Sequence, residues 1–286
     1  MICVDDEDRP LPQVLLVGLP IMHILLTYLV LMALVVGCTS NKPKPPIIIP
    51  PPPVKPPVVT PKPPGPDLSK CFHYKDGVVI GEGDVAVAKR PAYPGAIGYK
   101  DGMKSYYSWP GGRVAYAFEP GFEGKAFVSA AINHYHMVSK IKFVPRTTEP
   151  DYIVFKNGNG CWSFIGRIRG PQDISLGTGC ETRAAIHELG HALGLWHEQT
   201  RADRDKYVKV LWQNIEPTQV CNFAQNTRDT SDIGTYDFSS IMHYGYWGFS
   251  KNGEPTITKL DGSTTGFGES DSLSPADIAA VNAINP

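Results

Sequence analysis

His187-Glu188-Leu189-Gly190-His191-Ala192-Leu193-Gly194-Leu195-Trp196-His197 is the stretch on which the fold turns. It reads H-E-x-x-H-x-x-G-x-x-H. On a helix, residues four apart share a face, so His187 and His191 can present both imidazoles to one metal ion. Glu188 stands one position on, where its carboxylate can reach a metal-bound water without being a ligand. Gly194 can take positive φ, which ends the helix and turns the chain back. That turn brings in His197 as a third nitrogen. Three neutral imidazoles suit zinc, one ion per chain, and leave a coordination position open for water. The ion lowers the pKa of that water and Glu188 takes its proton, so that hydroxide can add to a polarised carbonyl. Ala184, Ala185, Ile186, Leu189, Ala192 and Leu193 would otherwise make an ordinary apolar core helix. Such a helix has no reason to bury three histidines and a glutamate together, because polar groups without partners are costly there.

Downstream, Ser239-Ser240-Ile241-Met242-His243-Tyr244-Gly245 supplies a methionine. A methionine turn under the zinc is the second mark of metzincins. The polarizable thioether of Met242 would form the floor beneath the three imidazoles. Between the two, His197-Glu198-Gln199-Thr200-Arg201-Ala202-Asp203-Arg204-Asp205 extends the zinc motif as H-E-Q-x-R-x-D-R-D. Together with S-I-M-H-Y-G, this resembles the astacin family of zinc endopeptidases. The likeness runs from Trp109-Pro110-Gly111-Gly112 to about Asn282. It takes in Phe143-Val144-Pro145-Arg146-Thr147-Thr148, Gly160-Cys161-Trp162-Ser163-Phe164-Ile165-Gly166 and Ser274-Pro275-Ala276-Asp277-Ile278.

The resemblance implies roles at matching positions. His187, His191 and His197 match the zinc ligands and Glu188 the catalytic base. Tyr244 matches a tyrosine that ligates zinc in the resting enzyme and then swings away to hydrogen-bond the oxyanion, a role a phenol can fill. Glu198 matches a glutamate that contacts the mature N-terminus. Cys161 and Cys180 match one family disulfide, worth about 3 kcal/mol in the chain-entropy model. The family's other disulfide is expected to be missing: Lys140 stands where its first cysteine belongs, and the sequence ends at Pro286 without the second. Cys71 and Cys221 remain, either bridged to each other or with Cys221 as a buried free thiol. Both readings imply an oxidising compartment. A family preference for acidic residues after the scissile bond is in doubt, because the usual G-Q-R is here Gly268-Glu269-Ser270.

Upstream of Trp109, residues 70–100 read as a pro-segment before a catalytic domain over 101–286. Zymogens of the family share an x-G-D stretch whose aspartate takes the open zinc position. Ile80-Gly81-Glu82-Gly83-Asp84-Val85 fits, with Asp84 as the switch ligand and Cys71 as a weaker candidate, although Gly81 replaces the usual aromatic. The mature start is expected near Lys100, with Tyr99 and Lys104 beside the cut; Pro91 disfavours cleavage after Arg90.

The remaining N-terminal third does not read as a domain. Residues 1–37 hold a near-continuous apolar run, Ile24 to Val36, ending in Val35-Val36-Gly37-Cys38. That pattern resembles a bacterial lipoprotein signal with Cys38 as the lipidated residue. An uncleaved anchor over 13–37 and an ordinary cleaved signal are the alternatives. The acidic Asp5-Asp6-Glu7-Asp8 departs from a basic n-region, which Met22 as the true start would remove. Each alternative implies export: a cell-envelope or outer-membrane lipoprotein, or a secreted protein, of bacterial type. Residues 38–69 form a Pro-rich spacer; 13 of the 27 prolines fall between 41 and 66, too many for a core. At about 3.1 Å per residue, polyproline II would hold a domain roughly 90 Å from a membrane.

Charge excludes another class. Lys and Arg number 27 against 28 Asp and Glu, so the chain lacks the basic face nucleic acids require. Nothing in the sequence indicates an oligomer. The expected fold is α+β, a two-lobed metzincin: an N-terminal lobe of twisted sheet plus two helices, and an irregular C-terminal lobe with a final helix. A helix is expected over Phe122–Ile141, with Phe127, Ala130, Ala131, Tyr135 and Val138 on one side. Strands are expected at Tyr152–Phe155 and Ile174–Leu176, and the active-site helix over 181–194. Ser274 is expected to cap the last helix. The expected function is hydrolysis of protein or peptide substrates by a zinc-bound water activated by Glu188, from a latent zymogen. The alternative is a tethered, non-catalytic binding module or adhesin on the same fold, which would have no need of Glu188. His23, His73, His134 and His136 have no partner spacing, and His243 reads as structural.

Overall fold

A computed structural model of the chain describes residues 73–75, 78–89, 108–226 and 231–286. The leader, the spacer, Cys38, Cys71 and the expected cleavage region lie outside the described residues.

The strands are β1 (His73–Lys75), β2 (Val78–Glu82), β3 (Val85–Lys89), β4 (Arg113–Phe118), β5 (Lys142–Pro145), β6 (Tyr152–Lys156), β7 (Cys161–Phe164), β8 (Pro171–Leu176), β9 (Val208–Val210) and β10 (Ile257–Lys259). The helices are α1 (Lys125–Val138), α2 (Thr182–Ala192) and α3 (Pro275–Ile284). The first eight strands form one sheet in the order β1-β2-β3-β7-β8-β6-β4-β5; β9 and β10 pair separately. The result is the expected α+β architecture.

Local pattern explains the centre of the sheet. In β6, Ile153 and Phe155 alternate with outward residues and are fully buried, as a strand with one face on the core requires. Strand β4 is parallel to both β5 and β6, and β6 is parallel to β8. α1 makes the crossover that joins parallel β4 and β5. Strand β7 runs antiparallel to β8. Its outer edge takes β3 in parallel, Val85 opposite Ser163 and Ala86 opposite Phe164. Segment 73–89 therefore continues the sheet of the residues that follow it.

α1 is shorter than the sequence suggests and turned slightly on its axis. Its buried residues are Val128, Ala131, Ile132 and Tyr135, while Ala130 and Val138 face solvent. The i, i+3, i+4, i+7 set is the stripe that packs. Tyr135 settles the rotation: its ring is fully buried and its hydroxyl donates to the Ile186 carbonyl of α2 at 2.9 Å. α2 also ends earlier, at Ala192, with Leu193 as its cap.

The part after His197 is irregular, built from single 3-10 turns, the β9–β10 pair and α3. α3 starts as expected. Ser274 Oγ accepts from the Asp277 amide and Asp277 Oδ2 accepts from the Ser274 amide, a reciprocal capping box. The Cys161–Cys180 disulfide is present. Around Lys140, where the resemblance puts the first cysteine of the family's other disulfide, hydrogen bonds tie the chain. The Lys140 amide donates to Asn282 Oδ1, and the Trp109 amide donates to Asn285 Oδ1. Asn285 Nδ2 in turn donates to the Leu193 and Val281 carbonyls.

Candidate functional site

α2 delivers His187, Glu188 and His191 from its last two turns, and the turn after it delivers His197. His191, Glu188 and His197 are essentially inaccessible to solvent. Gly194 makes the turn at φ +104°, and a Cβ there would stand 3.0 Å from Ile284 Cγ2. Only glycine meets both demands. Gly190 meets another: a Cβ would come within 2.9 Å of Met242 Sδ. The methionine turn is thus pressed directly against the ligand helix.

The imidazoles are oriented by backbone carbonyls. His187 Nδ1 lies 2.9 Å from the Ile241 carbonyl and His191 Nδ1 lies 2.8 Å from the Leu195 carbonyl. A proton on each Nδ1 leaves each Nε2 lone pair for a metal. Burial holds the His191 pKa down to about 4, against a partial rise from Asp84, so that ring is neutral at pH 7. Between the rings stands Asp84, at the tip of the β2–β3 hairpin. Its carboxylate oxygens lie 3.0 Å from His197 Nε2, 3.4 Å from His187 Nε2 and 3.5 Å from His191 Nε2. One donor atom from each of the four residues falls within 4.8 Å of all the others. His187 Nε2, His191 Nε2 and Asp84 Oδ1 are buried without hydrogen-bond partners. Buried polar atoms normally find partners. A divalent ion such as zinc would supply one for these two nitrogens and the oxygen, with His197 Nε2 as the third nitrogen within reach, so the donor set fits the group the motif implies.

Tyr244 and Glu198 adjoin His197. The Tyr244 ring packs against His197 at 4.5 Å between centroids, and its amide donates to Gln199 Oε1 at 3.0 Å. The hairpin tip leaves it no spare room: a Cβ on Gly83 would be 2.7 Å from the Tyr244 hydroxyl. Glu198 Oε1 accepts from the Asp237 amide at 2.7 Å and faces Arg201 Nε at 3.5 Å. Burial pushes the Glu198 pKa up to about 7, with Asp277 and Asp237 adding and the Asp237 amide and Arg201 opposing. It lines a cavity of about 90 Å³ together with Thr200, Arg201, Asp237 and Asp277.

Sequence reasoning named these residues and missed their supports. Gln199 Oε1 positions the Tyr244 backbone, and its only sequence signal is its place in H-E-Q-x-R. Ala86 of β3 packs on Trp162 and Phe164 of β7, a contact that no local pattern announces. Two histidines without partner spacing in the sequence are structural: His136 Nε2 accepts from the Phe143 amide and His134 Nε2 from the Leu273 amide. His243 is buried, 2.6 Å from the Tyr236 hydroxyl. Cys221 is buried and disulfide-bonded, not a free thiol.

The model of the peptidase family described as Astacin matches residues 102–285. The chain belongs to the astacin family. It is 42% identical over 189 residues to blastula protease 10 of Paracentrotus lividus, covering 62% of this chain and 32% of that protein. Zinc metalloproteinase nas-7 of Caenorhabditis elegans is 39% identical, covering 61% of this chain and 47% of that protein. Among solved structures, the hatching-enzyme zinc-protease high choriolytic enzyme 1 of Oryzias latipes aligns at TM-score 0.58 and 34% identity. That alignment covers 68% of this chain and 96% of the enzyme. The chain spans about a third to a half of the curated relatives named here. In this astacin chain the matched region begins after β1–β3, so the hairpin bearing Asp84 lies outside it. Among the described residues, no helix is long and apolar enough to cross a membrane.

Proposed function

We propose that this chain is a zinc-dependent endopeptidase stored in a latent form, with residues 70–100 as the pro-segment and Asp84 as the group that blocks the metal site. The observation that supports this most is the single Asp84 carboxylate set against His187, His191 and His197 in a buried pocket. Bound zinc supplies Lewis acidity and an activated water there. The protein's own groups do the rest. The Ile241 and Leu195 carbonyls hold two imidazoles in the ligating tautomer. Glu188, buried beside the ligands, takes a proton from the attacking water and returns it to the leaving amine. The Tyr244 hydroxyl donates to the oxyanion once the Gly83 tip is gone.

Removal of the pro-segment frees more than the metal site. Strand β7 loses its β3 neighbour, and its edge then has amide and carbonyl groups to offer an extended peptide. Protein or peptide substrates follow from that edge. A new N-terminus near Lys100 would carry an ammonium group, and the Glu198 cavity, ringed by Asp237 and Asp277, suits one. Ion pairing would bring the Glu198 carboxylate back to its ionised form. We further read the leader as an export signal, with Cys38 as a lipid anchor and the Pro-rich stretch as its spacer, in an envelope or secreted protein of bacterial type.

The test is hydrolysis of casein and a peptide library by the purified full chain, before and after limited proteolysis, with zinc content measured. Activity that rises on trimming and disappears in Glu188→Gln with zinc retained supports the reading. Full zinc without turnover in any trimmed form overturns it in favour of a tethered binding module.

A further inference from the structure

We propose that Cys221 is joined to Cys71, so that the pro-segment stays covalently attached to the catalytic domain after the activating cut. This inference rests on the reading of residues 70–100 as a pro-segment. Cys221 is disulfide-bonded, and Cys161 and Cys180 are joined to each other. Its partner is therefore Cys3, Cys38 or Cys71.

Three observations select Cys71. Cys221 lies in the single turn Val220–Phe223, and β2 rests against that turn. The hairpin tip touches the same turn, since a Cβ on Gly83 would be 3.3 Å from Asn222 Nδ2. Strand β1 runs antiparallel to β2 with His73 opposite Ile80 and Lys75 opposite Val78. The N-terminal end of β1 thus faces the Glu82 end of β2, which is the end beside Asn222. Cys71 stands two positions before His73 in the sequence, whereas Cys3 and Cys38 belong to the leader.

The bond forms by oxidation of two thiols. Cys71 and Cys221 together lose two protons and two electrons to a disulfide-bearing oxidant, which leaves as the dithiol. The export route supplies that class of oxidant. A dithiol reductant reverses the step and is itself oxidised.

The bond changes what a cut can do. A severed, untethered pro-segment dissociates and is diluted away. A tethered one remains at an effective concentration on the order of millimolar, with Asp84 beside the imidazoles and β3 along β7. Cleavage in 90–107 alone would therefore leave the site largely covered. Release needs a second event: reduction of the bond or a further cut between Cys71 and Asp84.

Peptide mapping of the full chain, exported and unreduced, is the first arm. A Cys71–Cys221 cross-linked peptide is expected; Cys221 linked to Cys3 or Cys38, or found as a thiol, overturns the proposal without any need for a variant. In the second arm the chain is cut within 90–107 and examined by non-reducing and reducing electrophoresis and by peptide hydrolysis at nanomolar enzyme. The wild-type fragment should stay attached until a thiol reductant is added, and the Cys71→Ser fragment should separate at once. The cut wild type should hydrolyse peptide at least roughly tenfold more slowly than cut Cys71→Ser, given a millimolar tether. Separation of the wild-type fragment without reductant, or equal and measurable rates for the two cut forms, overturns the proposal. A retained fragment with no hydrolysis by either form supports the cross-link and counts against the endopeptidase reading instead.

Discussion

The imidazoles and the carboxylate that meets them are held by two very different parts of the molecule. The three histidines sit on α2 and the turn behind it, within a core that includes Tyr135, Leu189, Leu193 and Met242, each almost fully buried. Carbonyls orient two of their rings, and glycines 190 and 194 admit the neighbours that fix the backbone. Asp84 sits at the tip of a hairpin whose strand β3 is paired with β7 through only two residues on each side. The ligand side is determined several times over, and the side that bears Asp84 is a strand laid on a sheet edge through that short pairing. The proposed latent form, which would keep its geometry while losing one occupant, would need that asymmetry.

Glu188→Gln should break the comparison at its strongest point. The variant keeps the shape and removes the base, so hydrolysis by the trimmed enzyme should fall by about 10²–10⁴-fold, or roughly 3–5 kcal/mol of transition-state stabilisation. Zinc content and melting temperature should be unchanged, because the three nitrogens remain. Loss of zinc along with activity would mean that Glu188 is structural.

Gly194→Ala probes the same side through its backbone. The residue is held at φ +104° and an added Cβ would stand 3.0 Å from Ile284 Cγ2, closer than ordinary van der Waals contact, so a methyl group combines strain with crowding and should cost about 1–3 kcal/mol. Because His197 follows that turn, zinc affinity should fall together with the melting temperature. An alanine variant of wild-type stability would show that the turn can rearrange.

Asp84→Ala sharpens the contrast from the blocking side. Even about 1.4 kcal/mol of occupancy is a tenfold change in the open fraction, so the uncut chain should gain peptide hydrolysis by roughly that factor or more. Its melting temperature should scarcely move, since the carboxylate belongs to no core. A silent variant would remove Asp84 from the latency mechanism.

This asymmetry also decided what could be read from sequence. The ligand side was legible because its rules are local: helical spacing sets His187 beside His191, and a positive-φ glycine predicts the return to His197. The Ser274 cap was legible for the same reason, whereas the Met242 turn was legible only beside the zinc motif. The rotation of α1 was not, because Phe127, Ala130 and Val138 offer a plausible apolar face next to the true one. What selected the true face was Tyr135 finding the Ile186 carbonyl on a different helix. Asn285 reads as an ordinary C-terminal asparagine, and two of its three side-chain hydrogen bonds exist only once Trp109 and Leu193 are folded beside it. The β3–β7 pairing was invisible, since parallel pairing joins segments far apart in the chain without a local turn signal. Asp84 itself could be named only through resemblance.

The smallest expected effect lies where the catalytic domain starts. Arg167, almost fully buried, donates through Nε to the Ser108 carbonyl and through Nη1 to Asp151 Oδ2; Asp151 Oδ1 accepts from the Gly170 amide. Burial tends to raise the Asp151 pKa. The Gly170 amide and the Arg167 guanidinium outweigh it, and the net pKa is below the ordinary carboxylate value. A carboxyl with a depressed folded pKa stabilises the fold above its unfolded pKa, about 3.9, and loses that contribution as pH falls through the lower folded value. Asp151→Asn should therefore cost about 1 kcal/mol at pH 7, the scale of one charge-assisted hydrogen bond in a partly exposed pair. Below the unfolded value of about 3.9 the two melting temperatures should begin to converge, and the gap should close only once the folded carboxyl has taken up its proton at its lower pKa. A gap that persists unchanged to pH 3 would assign the loss to the shape of the 151–170 loop and not to its charge. Either way the uncut and cut proteins should respond alike, because Arg167 and Gly170, the groups that hold Asp151, both belong to the ligand side.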